Sequence, residues 1–272
     1  MSFPLHRPGL TMTAFTYCAK TRRPDSGFSL VELAIAIFVM GLLLGGLIVP
    51  LSAQIEQRRI LTTQKQLEEI KSALMGFAAA HRRLPCPATN ASNGTEAFQN
   101  PGGSPANGFC ATFTNGLLPA ATLGLAPVDA QGFALDAWNA RIRYAVSLGF
   151  PPAATANAFT RTDGMKDAGI NAIVGANDLF RVCAAAGNAL NCGVAPPAVT
   201  LSRTTVVVIY SLGGNAADAN GSGPDELENL DDDPVFVSHP RTATSGNEFD
   251  DLVTWIGPNL LINRMIESGQ LP

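Results

Sequence analysis

The sequence predicts an α+β fold, in which one long N-terminal helix packs on a small antiparallel sheet head. Three observations lead there. Residues 28–51 form an apolar run with a single charge, and a helical pattern with one apolar face continues from it to residue 83. Short β-branched runs follow, separated by stretches rich in Gly, Asn, Ser and Pro. Helical spacing returns only towards the C-terminus.

Of the 272 residues, 46% are apolar and 15% are charged, which excludes a disordered or a nucleic-acid-binding chain. The net charge of −4 is unevenly spread. Arg7, Lys20, Arg22 and Arg23 face one acid, Asp25, in residues 1–27, leaving 14 basic against 21 acidic residues downstream. A basic segment ahead of an apolar run points to membrane insertion with the basic end left in the cytoplasm.

The apolar run reads FSLVELAIAIFVMGLLLGGLIVPL, 24 residues from Phe28 to Leu51 whose only charge is Glu32. As a helix it would span the ~30 Å hydrocarbon core. A cleaved secretory signal has a shorter apolar stretch with its cleavage site behind it, whereas here RRPDSG stands in front. Glu32 needs a partner or an escape, because a carboxylate at a helix centre costs ~2.5–3.5 kcal/mol on insertion scales. The alternative to a partner is snorkelling to the cytoplasmic interface.

Beyond Pro50, residues Ile55, Ile60, Leu67, Ile70, Leu74 and Phe77 fall near one helical face. Arg82 and Arg83 suit a helix C-terminus, and Leu84-Pro85-Cys86-Pro87 ends it. Residues 28–83 as one helix would measure ~84 Å at 1.5 Å per residue. Pro50 should bend it or loosen a turn, with Gly45 and Gly46 easing the clash.

In the head, residues 87–110 read as a loop. Strands are expected at Ile142–Ser147, Leu179–Ala184 and Thr204–Leu212, the last being central because it is the most β-branched. Phe249, Leu252, Val253 and Ile256 sit at helical spacing, followed by Gly257-Pro258 and a second helical stretch over Asn259–Glu267. Trp138 and Trp255 read as core anchors. His81 and His239 read as surface residues without catalytic partners, and no nucleophile, zinc or phosphate-loop motif occurs. Cys18 lies in the basic segment. The remaining four cysteines, Cys86, Cys110, Cys183 and Cys192, form an even set beyond the apolar run, which suggests two disulfides in an oxidising compartment. Four cysteines permit three pairings. The simplest joins Cys86 to Cys110 around the loop and Cys183 to Cys192 around a hairpin turn.

Gly27-Phe28-Ser29-Leu30-Val31-Glu32 resembles the prepilin motif shared by type IV pilins and type II secretion pseudopilins. The resemblance implies that a prepilin peptidase cuts after Gly27 and methylates Phe28, the first mature residue. It implies that Glu32, at the fifth mature position, pairs with a neighbouring subunit's amine and sets filament register. Residues 1–27 would then be a leader (starting at Met1 or Met12), 28–51 the transmembrane half of the helix, 52–83 its stalk half and 84–272 the head. The implied protein is not an enzyme but a structural subunit, a pseudopilin or minor pilin. It would cross the bacterial inner membrane once, with its head in the periplasm or on an extracellular filament and other subunits as partners. An adhesin or receptor-binding minor pilin and a signal-anchored periplasmic enzyme are the alternatives.

Two head segments extend the resemblance. Asp136-Ala137-Trp138-Asn139 is similar to the "DPWGNPYQY" strand entry of the major pseudopilin, with alanine for proline and asparagine for glycine. YSLGGNAADANGSGPDELENLDDD is similar to the same protein's calcium-binding strand and loop, with Asn215 where aspartate is usual. The resemblance implies calcium, with Asn215, Asp218, Asn220, Ser222, Asp225 and Asp231 as candidate ligands. Their oxygens suit a hard cation. Asp218-x-Asn220-x-Ser222-Gly223 fits half of an EF-hand loop, but Asn229 occupies its glutamate position. A solvated acidic loop is the alternative.

Overall fold

The computed structural model describes residues 27–149, 157–170, 179–187, 191–192, 199–216 and 223–271, without the side chains of residues 44–51. The chain divides into two compact units, one ending at Ser52 and the other beginning at Ala53. Helix α1, Leu30–His81, contributes to both.

The helix starts where Ser29 can cap it. The Ser29 Oγ accepts the Glu32 N–H at 3.2 Å and the Ser29 carbonyl accepts the Leu33 N–H at 3.0 Å. Ser-x-x-Glu is a capping-box sequence, and a first-turn carboxylate also complements the helix dipole. The helix runs unbroken through Pro50. α1 ends at Arg82, which takes a left-handed conformation (φ 58°) and donates to the Ala78 carbonyl at 2.9 Å. Along its second half Leu67, Ile70, Leu74, Met75, Phe77 and Ala78 are buried, each large side chain worth ~1.5–3 kcal/mol. The expected stripe begins late: Ile60 is half-buried and Ile55 is exposed.

The main sheet is antiparallel in the order β1 (Gly116–Leu117), β2 (Arg143–Val146), β5 (Val207–Ser211), β9 (Leu252–Ile256). A second sheet is ordered β4 (Thr200–Thr205), β3 (Phe180–Cys183), β6 (Val235–Val237), and β7 (Thr242–Thr244) pairs with β8 (Asn247–Phe249). Because β3 and β6 run parallel, the head is not purely antiparallel as expected. Strand β5 explains why its sequence is apolar without alternation. Val207 and Ile209 join the cluster containing Leu67, Ile70 and Leu74 of α1, while Val208 and Tyr210 join Phe180, Val182 and Phe236 of the second sheet. A strand covered on both faces has no polar side.

Two expectations need correction. The run Thr204–Leu212 is not one strand, because the chain changes sheets at Val206. There Val206 donates to the Ile256 carbonyl (2.9 Å) and accepts from the Ser147 N–H (2.8 Å). Phe249, Leu252, Val253 and Ile256 are strand residues, not helical ones. Leu252–Ile256 pairs with β5 along its whole length, Ile256 opposite Val207 and Leu252 opposite Ser211. Helical spacing was coincidental here, and Val-Thr-Trp-Ile is a strand composition that the open edge of β5 could recruit.

Short helices complete the unit: α2 (Ala120–Leu123), α3 (Gly164–Ala168), α4 (Pro224–Glu228) and α5 (Pro258–Glu267). α5 begins at Pro258 in its first turn and buries Leu261, Ile262 and Met265. Cys86–Cys110 and Cys183–Cys192 are both disulfide-bonded with Cα atoms 5.3 Å apart, the expected pairing. Cys192 lies in the connection between β3 and β4, which pair antiparallel with Cys183 opposite Thr200.

Candidate functional site

Two regions hold the candidate residues. In the first, Gly27, Phe28 and Ser29 precede α1 and the helix then presents apolar side chains on every side. Phe28 is 83% and Leu30 86% exposed, and Ile35, Phe38, Met40 and Leu43 remain exposed too. Glu32 is exposed, and its carboxylate has no hydrogen-bond or ion-pair partner among the described residues. A contiguous apolar surface of this kind marks contact with lipid or another chain. Among the described residues, no helix is long and apolar enough to cross a membrane. The described side chains of the apolar run end at Leu43.

The second region is built around β5 and the segment after it. The two head segments singled out in the sequence meet here: the Ser211 hydroxyl donates to Asp136 at 2.5 Å. The other Asp136 oxygen accepts the Trp138 and Ala140 N–H groups, both at 2.9 Å, closing a tight turn. Trp138 and Trp255 pack half-buried against the two core clusters. The Trp138 indole donates to Glu56 of α1 at 3.2 Å, and Arg241 donates to the same carboxylate at 2.8 Å. Glycine is required just after β5, because a Cβ on Gly213 (φ 65°) would stand 2.4 Å from an Asp250 oxygen. That close approach lets the Gly214 N–H donate to Asp250 at 2.8 Å.

The structure regroups the six candidate ligands. Asp218, Asn220 and Ser222 lie outside the described residues. Asn215 donates to both oxygens of Glu226, at 2.8 and 2.9 Å. Asp225 is buried and turned elsewhere, accepting from the Ala186 N–H, from Asn247 at 2.7 Å and facing His239 Nε2 at 3.3 Å. His239 is half-buried rather than fully exposed: it stacks on Phe249 with ring centroids 3.9 Å apart. Asp231 joins Glu228 and Asp233 in one carboxylate group, and Glu226, Asp250 and Asp251 form another. In each group the ligand atoms lie within 4.8 Å of one another.

These groups are electrostatically costly. Burial pushes Glu228 up to about 7, and the neighbouring Asp233 and Asp231 charges add to it. Glu228 Oε1 and Asp233 Oδ2 are buried with no hydrogen-bond partner among the described residues. Burial also pushes Asp251 up to about 8, with Glu226 and Asp250 raising it further and the Asn229 hydrogen bond opposing. Sequence reasoning missed the Glu226, Asp250 and Asp251 group because its members lie on separate elements. The available signal was a pair of adjacent aspartates wedged between Phe249 and Leu252, an unusual place for two charges.

Asp251 makes stability depend on pH. Its folded pKa exceeds the unfolded value, so its contribution is fully present below ~4 and is lost as pH rises through about 8. The melting temperature should therefore fall by several degrees between pH 6 and pH 9. Asp251→Asn keeps an acceptor for Asn229 and should flatten that slope in thermal melts. An equally steep fall in the variant would rule Asp251 out.

Comparison with known families decides the first region. A family model described as the prokaryotic N-terminal methylation motif matches residues 22–48. The chain carries a prepilin-type signal. Such methylation motifs are the hallmark of type IV pilins and pseudopilins, and they go with location at a membrane or in a filament. The match places the basic residues Arg22 and Arg23, the Gly27-Phe28 junction, the Ser29 cap and Glu32 within one motif. No curated protein matches the chain, and no solved structure does.

Proposed function

We propose that this chain is a structural subunit, a pseudopilin or minor pilin, of a type II secretion or type IV pilus filament. The methylation motif over residues 22–48 carries the reading. The prepilin peptidase cuts after Gly27 and methylates Phe28. The mature helix crosses the bacterial inner membrane once and then packs beside those of other subunits, with the head in the periplasm or on the extracellular filament. The exposed apolar surface from Phe28 to Leu43 supports this, since nothing described in the same chain covers it. The test is the fate of residues 1–27 when active peptidase is present.

Calcium is part of the proposal, through a donor set that differs from the sequence-based one. Glu228, Asp231 and Asp233 fit a hard cation: three carboxylates converge, and two of their oxygens are buried without partners among the described residues. A bound cation would neutralise the group. At a hundredfold excess over Kd it would stabilise the fold by ~2.7 kcal/mol, a rise of about 5–10 °C in Tm. Thermal melts of the oxidised, solubilised protein at pH 8, in chelator and in millimolar calcium, measure this. Glu228→Gln and Asp231→Asn should blunt the rise, whereas Glu248→Gln on the exposed part of β8 should not. Equal melting temperatures with and without calcium would identify a solvated acidic loop instead.

A further inference from the structure

The end of β2, the start of β3 and the loops before β1 and β6 enclose a cleft of about 690 Å³. That volume falls within the range of small-ligand sites. Phe113, Leu148, Leu179 and Phe180 supply its apolar walls. Leu148 is 49% exposed, apolar surface that an occupant would remove from water. Arg181 also lines the cleft, and its backbone is fixed by donation to the Pro234 carbonyl at 2.9 Å. Its guanidinium makes no hydrogen bond or ion pair with any described residue. Asp232 shares the lining, yet its carboxylate accepts the Thr114 hydroxyl rather than pairing with Arg181.

A guanidinium without a partner among the described residues, in a cleft with apolar walls, matches a carboxylate joined to an apolar group, because its fork can hold both carboxylate oxygens. The remaining lining chooses between sources of that chemistry. Thr114 and Asp232 offer oxygens that suit peptide N–H groups, whereas an alkyl chain would bury them unmatched. We propose that this cleft binds the C-terminal carboxylate of a peptide ending in a large apolar residue, with Arg181 pairing the carboxylate.

Calorimetric titration of the full-length protein in nanodiscs tests this with three probes: N-acetyl-phenylalanine, its primary amide and hexanoate. The acid should bind at least tenfold more tightly than either of the others, as expected for a charged hydrogen-bonded pair. Arg181→Gln should erase the preference for acid over amide at an unchanged melting temperature. Leu148→Ala, at an exposed position, should weaken acid and amide alike by several-fold, and Arg203→Gln on β4 should change neither. Equal affinity for acid and amide in the wild-type protein would overturn the proposal, as would no binding of the acid at millimolar concentration. Hexanoate binding as tightly as the acid would overturn the peptide as occupant. The wild-type comparisons decide the matter even if Arg181→Gln fails to fold.

Discussion

Gly27→Leu is expected to leave the chain uncleaved, while the wild-type protein from cells with active prepilin peptidase ends up as residues 28–272 plus one methyl group. The effect should be close to all-or-none. A Cβ at residue 27 meets nothing within 4 Å, so the substitution disturbs no packing in the folded chain. Residues 27–29 precede the first turn of α1 and lie outside any helix or strand, where a peptidase can grip the chain. Loss of cleavage would therefore report recognition of the junction and not misfolding. Intact mass measurement of the membrane-extracted protein reads both species directly. A wild-type chain that keeps its leader, or one cut beyond residue 51, would remove the basis for the filament reading.

Glu32→Ala should leave cleavage and insertion intact and reduce filament assembly by an order of magnitude or more. Two physical roles compete for this residue. As a charge, it needs a partner that the described part of its own chain does not supply, and a neighbour's N-terminal amine would answer that need. As the fourth residue of Ser-Leu-Val-Glu, it also strengthens the helix start, an effect of ~0.3–1 kcal/mol. Glu32→Gln separates them, since glutamine serves in a capping box but carries no charge. If charge pairing sets register, Gln assembles as poorly as Ala. Filaments at wild-type yield from Glu32→Gln, measured by subunit cross-linking, would assign the residue to capping alone.

Much of the N-terminal half was legible because its determinants are local. The Gly-Phe junction, the 3.6-residue periodicity over Leu67–Phe77 and the stop before Pro85 are each set within a few residues. The strand at β5 was equally plain, since a run of β-branched residues can hardly be anything else when both faces are covered. Of the three pairings open to the four cysteines, proximity in sequence made Cys86–Cys110 with Cys183–Cys192 the simplest, since closing a short loop costs least, and the structure has that one.

Sequence alone thus determined the signal, the long helix, the principal strands and the parity of the cysteines. Tertiary structure decided the rest, because the remaining choices are made between segments distant in the chain. Leu252–Ile256 became a strand only because the edge of β5 offered unpaired backbone groups along its whole length. The run after Thr204 broke at Val206 because two sheets competed for it. Asn215 turned to Glu226 and Asp225 to His239, so a ligand set that looked continuous in sequence was divided. Glu228, Asp231 and Asp233 lie between α4 and β6, and Asp250 and Asp251 reach Glu226 from the connection between β8 and β9. Carboxylates repel one another, and nothing local draws them together. Burial of the apolar residues beside them, Phe249, Leu252 and Val235, together with hydrogen bonds such as those from Asn215 and the Asp250 N–H to Glu226, holds the charges that close.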